Sequence, residues 1–191
     1  MHARDLLAAQ LDGSCGLIAE RADAAAAYWT DRRVSDTSMP GFVLWHCARI
    51  VDWGINAVVR TQPELAAADP WRERMRFDLG HGPGLTRADA DEAALAVSAE
   101  TVTAYVAELR SEIGAWIAAV SDDELERPID LRKACAVHPR YLTDAAWAEV
   151  KNLDGVPSWQ ILAYPCISHI RAHIGEVDTL LTVLRAEGAA G

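Results

Sequence analysis

Two histidines stand four residues apart in the run YPCISHIRAHIGEVDTLLTVL, residues 164–184. Four residues turn a helix through about 400°, so His169 and His173 leave nearly the same face one turn apart. That face also carries Leu162, Cys166, Val177, Leu180 and Leu184, the pattern of a side that a helix buries. Imidazoles so placed can share one cation, zinc for example being held at roughly 2.0–2.1 Å. A pair needs a third donor. The candidate is His46 in PGFVLWHCARIVDW, between Val43 and Ile50 on the inward stripe of an earlier helix. Three histidines from two helices leave a position for water or substrate, as catalytic sites do, whereas structural sites are closed by four ligands. The competing reading makes each histidine a hydrogen-bonded core group, since a buried imidazole needs partners in any case.

Neighbouring residues carry similar alternatives. Cys166, one turn before His169, is either a fourth, thiolate ligand or a small core filler. Cys47 points roughly 100° away from His46 and reads as packing. Glu176, three residues after His173, is either a carboxylate partner for that ring's second nitrogen or a solvated charge. Arg49 either receives an anionic substrate group or is a surface charge, and Asp52 lies close by in sequence. Pro165 either kinks a helix already begun or marks its first turn. His81 and the Cys135–His138 pair read as loop residues without a metal role, while Tyr105, Trp53, Trp116 and Trp159 read as core. No HExxH, CxxCH, GxSxG or phosphate-binding glycine loop is present, nor the ExxH repeats of di-iron bundles.

Four long amphipathic segments must position these side chains. The first spans residues 4–31 and ends before the polar turn DRRVSDTSMPG; the second spans about 41–60, with Val43, His46, Ile50, Trp53 and Ala57 as its inward stripe. The third spans about 89–120, with a stripe from Val102 through Tyr105, Leu109 and Ile113 to Ile117, and the fourth about 158–186. The irregular segment containing GHGPG links the second to the third. The connection 121–157 holds at most a short helix at LTDAAWAEVKN. Helices of this length with few strand signals predict an all-α four-helix bundle in a single domain over 1–191, with long loops between helices two and three and between three and four. The site is expected at the bundle end, roofed by the 71–88 and 121–157 loops.

Composition sets outer limits. With 191 residues the chain can bury a sizeable core, and 51% apolar with 24% charged residues is the balance of a globular protein. A net charge of −10 argues against nucleic acid and against an anionic membrane surface. The opening MHARDLLAAQLDGSC carries charges through what would be a signal core, and no uninterrupted apolar run reaches membrane-spanning length. Four scattered cysteines without a CxxC pair read as reduced thiols, which makes the cytoplasm the expected compartment.

LWHCARIVDWGINAV followed far downstream by SHIRAHIGEVDTLL resembles the DinB-like superfamily of four-helix metalloproteins. That family's pattern, a second-helix histidine and then HxxxHxG followed by an acid or amide, falls here on His46, His169, His173, Gly175 and Glu176. The resemblance spans about Arg4 to Leu184 in helix order, with the residue-level match confined to those two stretches. It implies a divalent ion (zinc, nickel or iron) on His46, His169 and His173, a frequently homodimeric bundle, and relatives that include thiol-dependent transferases and the mycothiol-dependent maleylpyruvate isomerase. The isomerase-like branch differs in carrying a glutamate where His169 stands. Three readings follow: a metal- and thiol-dependent transferase or isomerase acting on a small molecule, with a low-molecular-weight thiol as the candidate cosubstrate; a non-catalytic bundle that binds a metal or small ligand; and a dimerising bundle whose histidines are core groups.

Overall fold

The computed structural model describes residues 3–32 and 37–189, and they form an all-α protein with no β-strand among them. Four long helical segments carry the architecture. The first is α1 (Ala3–Ala25), which tightens into a 3-10 turn at Ala26–Tyr28 rather than running on to residue 31. Of the polar turn that follows, residues 33–36 lie outside the described residues. Next comes α2 (Pro40–Asp52), whose Pro40 sits in the first turn where a missing N–H costs nothing, and which widens into π-turns at Trp53–Val59. The segment Pro40–Val59 is long and apolar enough to cross a membrane by length and composition alone, but 94% of its apolar window is buried inside the protein, Arg49 and Asp52 included. It is the central core helix.

Short elements follow: α3 (Trp71–Arg74) and α4 (Arg87–Ala96). The helix expected over 89–120 is divided, because Ser98 caps a new start by accepting from Thr101 N–H at 3.1 Å, and α5 (Ala99–Ala119) begins there. The connection 121–157 is more ordered than its composition suggests. It holds α6 (Asp122–Glu126), α7 (Leu131–Cys135) and α8 (Asp144–Val150), with Ser121, Asp130 and Thr143 as side-chain caps. The last segment starts at α9 (Ser158–Ala163), passes a π-turn at Tyr164–Ser168, and continues as α10 (His169–Ala189).

Helix α1 packs against α5, α2 and α10, and α2 packs in turn against α5, α4 and α10. A single cluster of buried apolar side chains reaches from Leu11 on α1 to Leu181 on α10. The face of α10 predicted to be inward is inward: Val177, Leu180 and Leu184 are buried, as are Ile170 and Ile174 earlier in the helix. Pro165 neither breaks this segment nor starts it. It occupies the π-turn, where the Tyr164 carbonyl still accepts from the His169 N–H five residues on and from the Ser168 hydroxyl at 3.4 Å. All four cysteines are buried and unpaired.

Candidate metal centre

Where α2 meets the start of α10, His46, His169 and His173 converge, with one ring nitrogen of each lying within 4.8 Å of the others. Their planes are close to mutually perpendicular, at 84°, 90° and 85° for the three pairs, so the rings meet edge-on instead of stacking. His46 Nε2 and His169 Nε2 are 3.2 Å apart. Two ligands at about 2.05 Å in tetrahedral array are separated by about 3.3 Å, so the spacing suits a shared ion.

Two of the rings have their tautomer set from outside. His46 Nδ1 lies 2.6 Å from the His81 carbonyl oxygen, which can only accept, so Nδ1 carries the proton and Nε2 presents a lone pair. His173 Nδ1 donates in the same way to Glu176 Oε2 at 2.9 Å, leaving its Nε2 as an acceptor. Orienting contacts of this kind are what metal-ligating histidines make through their second nitrogen. Glu176 is therefore the histidine's partner and not a free charge.

His46 and His169 resist protonation. Burial pulls His46 down to about 3, helped by the neighbouring His173 and His169 and opposed only by the His81 carbonyl. Burial, with His173, brings His169 down to about 4. Near neutral pH both are neutral donors, the form that binds metals. The donor set, the fixed tautomers and the convergence all fit a divalent cation.

Behind His46 lies a loop that the sequence marks only as a breaker. Gly82 has φ +129°, and a Cβ there would lie 2.1 Å from His46 Nδ1. Glycine is required at this position both by the backbone and by the ring. His81 is not a loose loop residue: it is 3% exposed, its ring lies 4.3 Å from that of Trp53 and 4.5 Å from that of Tyr141, and its carbonyl orients the ligand. Next to it, the Gly80 carbonyl accepts from Arg49 Nε at 3.1 Å.

Arg49 is neither at the surface nor available to a substrate. It is fully buried one turn after His46, paired to Glu64 at 2.7 Å and Asp52 at 3.0 Å, and bonded to the hydroxyls of Tyr105 and Tyr141 at 3.3 Å. Burial works against its charge, yet Glu64, the two tyrosines and Asp52 hold it well above its ordinary value. Asp52 also accepts from Asn56, from the Leu65 and Ala66 amides, and from Tyr105. Tyr105 thus belongs to a polar network and not to an apolar stripe alone.

The remaining candidates separate cleanly. Cys166 points at Gly54, whose Cβ would sit 2.6 Å from its sulfur, and burial raises its thiol far above the usual range; it fills the crossing of the two π-turns and stays outside the histidine group. Cys47 is buried packing. Cys135 and His138 are both buried, and His138 Nδ1 accepts from the Arg140 amide at 3.2 Å. Trp53 is buried as expected, whereas Trp159 is 37% exposed.

Two concavities meet at the histidines. The inner one is lined by His46, His169 and mostly apolar groups, and the outer one by His46, His169, His173 and the 82–87 turn. Glu149 of α8 lines both, and its carboxylate accepts from the Gly84 amide at 2.8 Å. The covering segments are those expected, 71–88 and 121–157, although Glu149 itself carries no motif that would single it out. No family model matches the chain, and comparison with curated proteins finds no relative.

Proposed function

We propose that this chain is a divalent-metal protein of the DinB-like four-helix-bundle type, a single domain in which His46, His169 and His173 hold the ion. The observation that carries this reading is the 3.2 Å approach of His46 Nε2 to His169 Nε2, with the His46 proton committed to the His81 carbonyl. Two lone pairs do not face each other at that distance without a proton or a cation between them. His173 brings a third acceptor nitrogen to the same place, and one proton cannot serve three rings.

The proposed activity is a metal- and thiol-dependent transfer or isomerisation of a small molecule. A divalent ion supplies a lowered pKa to water or a thiol placed on it, and so a nucleophile near neutral pH. The protein's residues do the rest. His81 and Glu176 hold two rings in the binding tautomer, Gly82 lets His46 sit against the loop, and the apolar inner concavity limits water. Glu149 stands at the edge of both concavities, where a carboxylate can take up a proton. The same reading places the protein in the cytoplasm as a homodimer, with the four buried free thiols in support of a reducing compartment.

Elemental analysis of protein purified without added metal tests the centre. About one equivalent of transition metal in the wild type, lost in His46→Ala, His169→Ala and His173→Ala, is the expected outcome. A wild type that takes up none on reconstitution would return the histidines to the core. A panel of thiols and electrophiles then separates the two metal readings, since metal-dependent turnover marks an enzyme and stabilisation without turnover marks a binding protein.

A further inference from the structure

The inner concavity beside His46 and His169 is small and its walls are chemically one-sided. Its volume is about 100 Å³, somewhat below the roughly 150 Å³ of an engineered apolar cavity that accepts benzene. Ile50, Trp53, Val150, Leu153, Tyr164 and Pro165 make the apolar wall. They come from α2 and its π-turns, from the end of α8 and the turn after it, and from the π-turn preceding α10. Ile50 is 4% exposed and Trp53 is fully buried, so the floor is apolar, while Tyr164 at 54% exposed stands at the rim.

Among the described residues, the carboxylate of Glu149 is the one formally charged side chain that lines this space, and neither lysine nor arginine does. Arg49, next to Ile50 in sequence, is turned away and consumed by Glu64 and Asp52, and Lys151, next to Val150, does not line the space. Arg87 lines the outer concavity and not the inner one. An anionic tail lodged here would lose water to hydrocarbon and meet another carboxylate at the edge. An uncharged tail gains by burial, and a hydrogen-bond donor on it has Glu149 as its acceptor.

We propose that the inner concavity is the substrate-tail site of the centre, and that it selects a short or compact uncharged apolar group carrying a hydroxyl, thiol or comparable proton donor, against carboxylate-bearing molecules. This rests on the metal reading for the location of the reacting end, but the selection is a property of the wall. It makes Glu149 a specificity-determining residue and Leu153 a size gate.

The test uses three probes of similar length: 1-butanol, 1-butanethiol and 3-mercaptopropionate. Binding is followed by calorimetry or ligand-detected NMR on the full chain, with zinc content measured in the same samples. For metal-free wild type, where no ion can chelate the carboxylate-bearing thiol, 1-butanethiol is expected to bind at least about tenfold more tightly than 3-mercaptopropionate. Glu149→Lys, at an exposed position that leaves the core alone, should bring the two thiols within about threefold or reverse their order. Leu153→Trp should weaken both 1-butanol and 1-butanethiol at least about tenfold by filling the space. Equal or tighter binding of 3-mercaptopropionate to metal-free wild type, or full 1-butanol binding in Leu153→Trp, would overturn the assignment. Because 1-butanol needs no ion, the two failures are distinguishable. Protein that binds no zinc but still takes 1-butanol, and loses it in Leu153→Trp, sinks the metal reading and keeps the cavity. Protein that takes up zinc on reconstitution but does not discriminate between the thiols when metal-free sinks the cavity assignment and keeps the metal.

Discussion

One turn of helix separates His46 from Arg49, and the two side chains enter opposite kinds of surroundings. Around Arg49 the fold has completed its own chemistry. Each guanidinium nitrogen has a partner, two carboxylates answer the charge, and two tyrosine hydroxyls close the set. Around His46 the same fold brings three imidazole rings together edge-on, with one ring nitrogen of each within 4.8 Å of the others. The adjacent carbonyls of Gly80 and His81 tie the regions together, one held by Arg49 and the other holding His46. The contrast teaches where this fold could take something from outside: the Arg49 network is internally closed, whereas the histidine set beside it could hold a cation.

Removing Arg49 should produce the largest effect. Arg49→Leu leaves Glu64 and Asp52 buried without their cation, at a cost of about 3–5 kcal/mol, enough to unfold much of a marginally stable chain. Denaturant titration of metal-free protein checks this. A loss below about 1 kcal/mol would mean that water reaches the network, and the contrast with the histidine set would collapse.

Acid should act next, and through the other region. The folded values of about 3 for His46 and about 4 for His169 lie below the ordinary histidine value of about 6.5. Above that value neither state binds the protons, and stability is flat with respect to these groups. As pH falls below it, the unfolded chain takes up protons that the fold refuses, so stability declines until the folded values are reached. His81, held well below its ordinary value chiefly by burial, pulls in the same direction. For buried His46 the slope is up to about 1.4 kcal/mol per pH unit, and His169, which is more open to solvent, contributes less. Stability of metal-free protein measured from pH 7 to pH 4 should fall steadily, and His46→Gln should make the decline shallower. An unchanged slope in that variant would show that His46 titrates normally.

Gly82→Ala sharpens the comparison by disturbing one region alone. The new methyl cannot share space with His46 Nδ1, so the ring must leave the His81 carbonyl. Metal affinity is expected to fall about 10- to 100-fold, the usual consequence of losing an orienting contact. The Arg49 network, which bonds to Gly80 and not to Gly82, should survive. Competition with a chromophoric chelator measures the first effect, and denaturant titration of the metal-free protein the second. Wild-type affinity would show that the loop yields instead of the ring.

How much of this was readable in the sequence follows from the range of the forces involved. The four long helices were legible because their apolar stripes repeat locally, and the inward direction of His46, His169 and His173 came with the stripes. Serine caps at Ser98 and Ser121 divide or start helices through a few local side-chain hydrogen bonds, which periodicity does not register. Arg49 was misplaced because its partners stand 15 residues away at Glu64 and 92 away at Tyr141, and no local pattern announces that they meet. GHGPG read as a breaker, and it is one; but the need for glycine at Gly82 comes from a ring 36 positions earlier in the chain. Nothing in the sequence distinguishes Glu149 from other helix carboxylates, since only the packing of α8 over the histidines gives it a place.

The smallest effect is expected from Glu176, and it tests what kind of partner a ligand needs. Glu176→Gln keeps an oxygen that can accept from His173 Nδ1 while removing the negative charge; Glu176→Ala removes both. If hydrogen bonding sets the tautomer, the glutamine variant should lose no more than a few-fold in metal affinity and the alanine variant about tenfold. If the charge matters by making the ring a better donor, both should lose about tenfold. Equal, wild-type affinity in both variants would leave Glu176 as a solvated helix charge, and His173 would then be held by packing alone. Glu176 is 41% exposed at its side chain, where charge effects are screened by water. The hydrogen bond is therefore expected to dominate, the reverse of the Arg49 network, where complete burial makes the charges decisive.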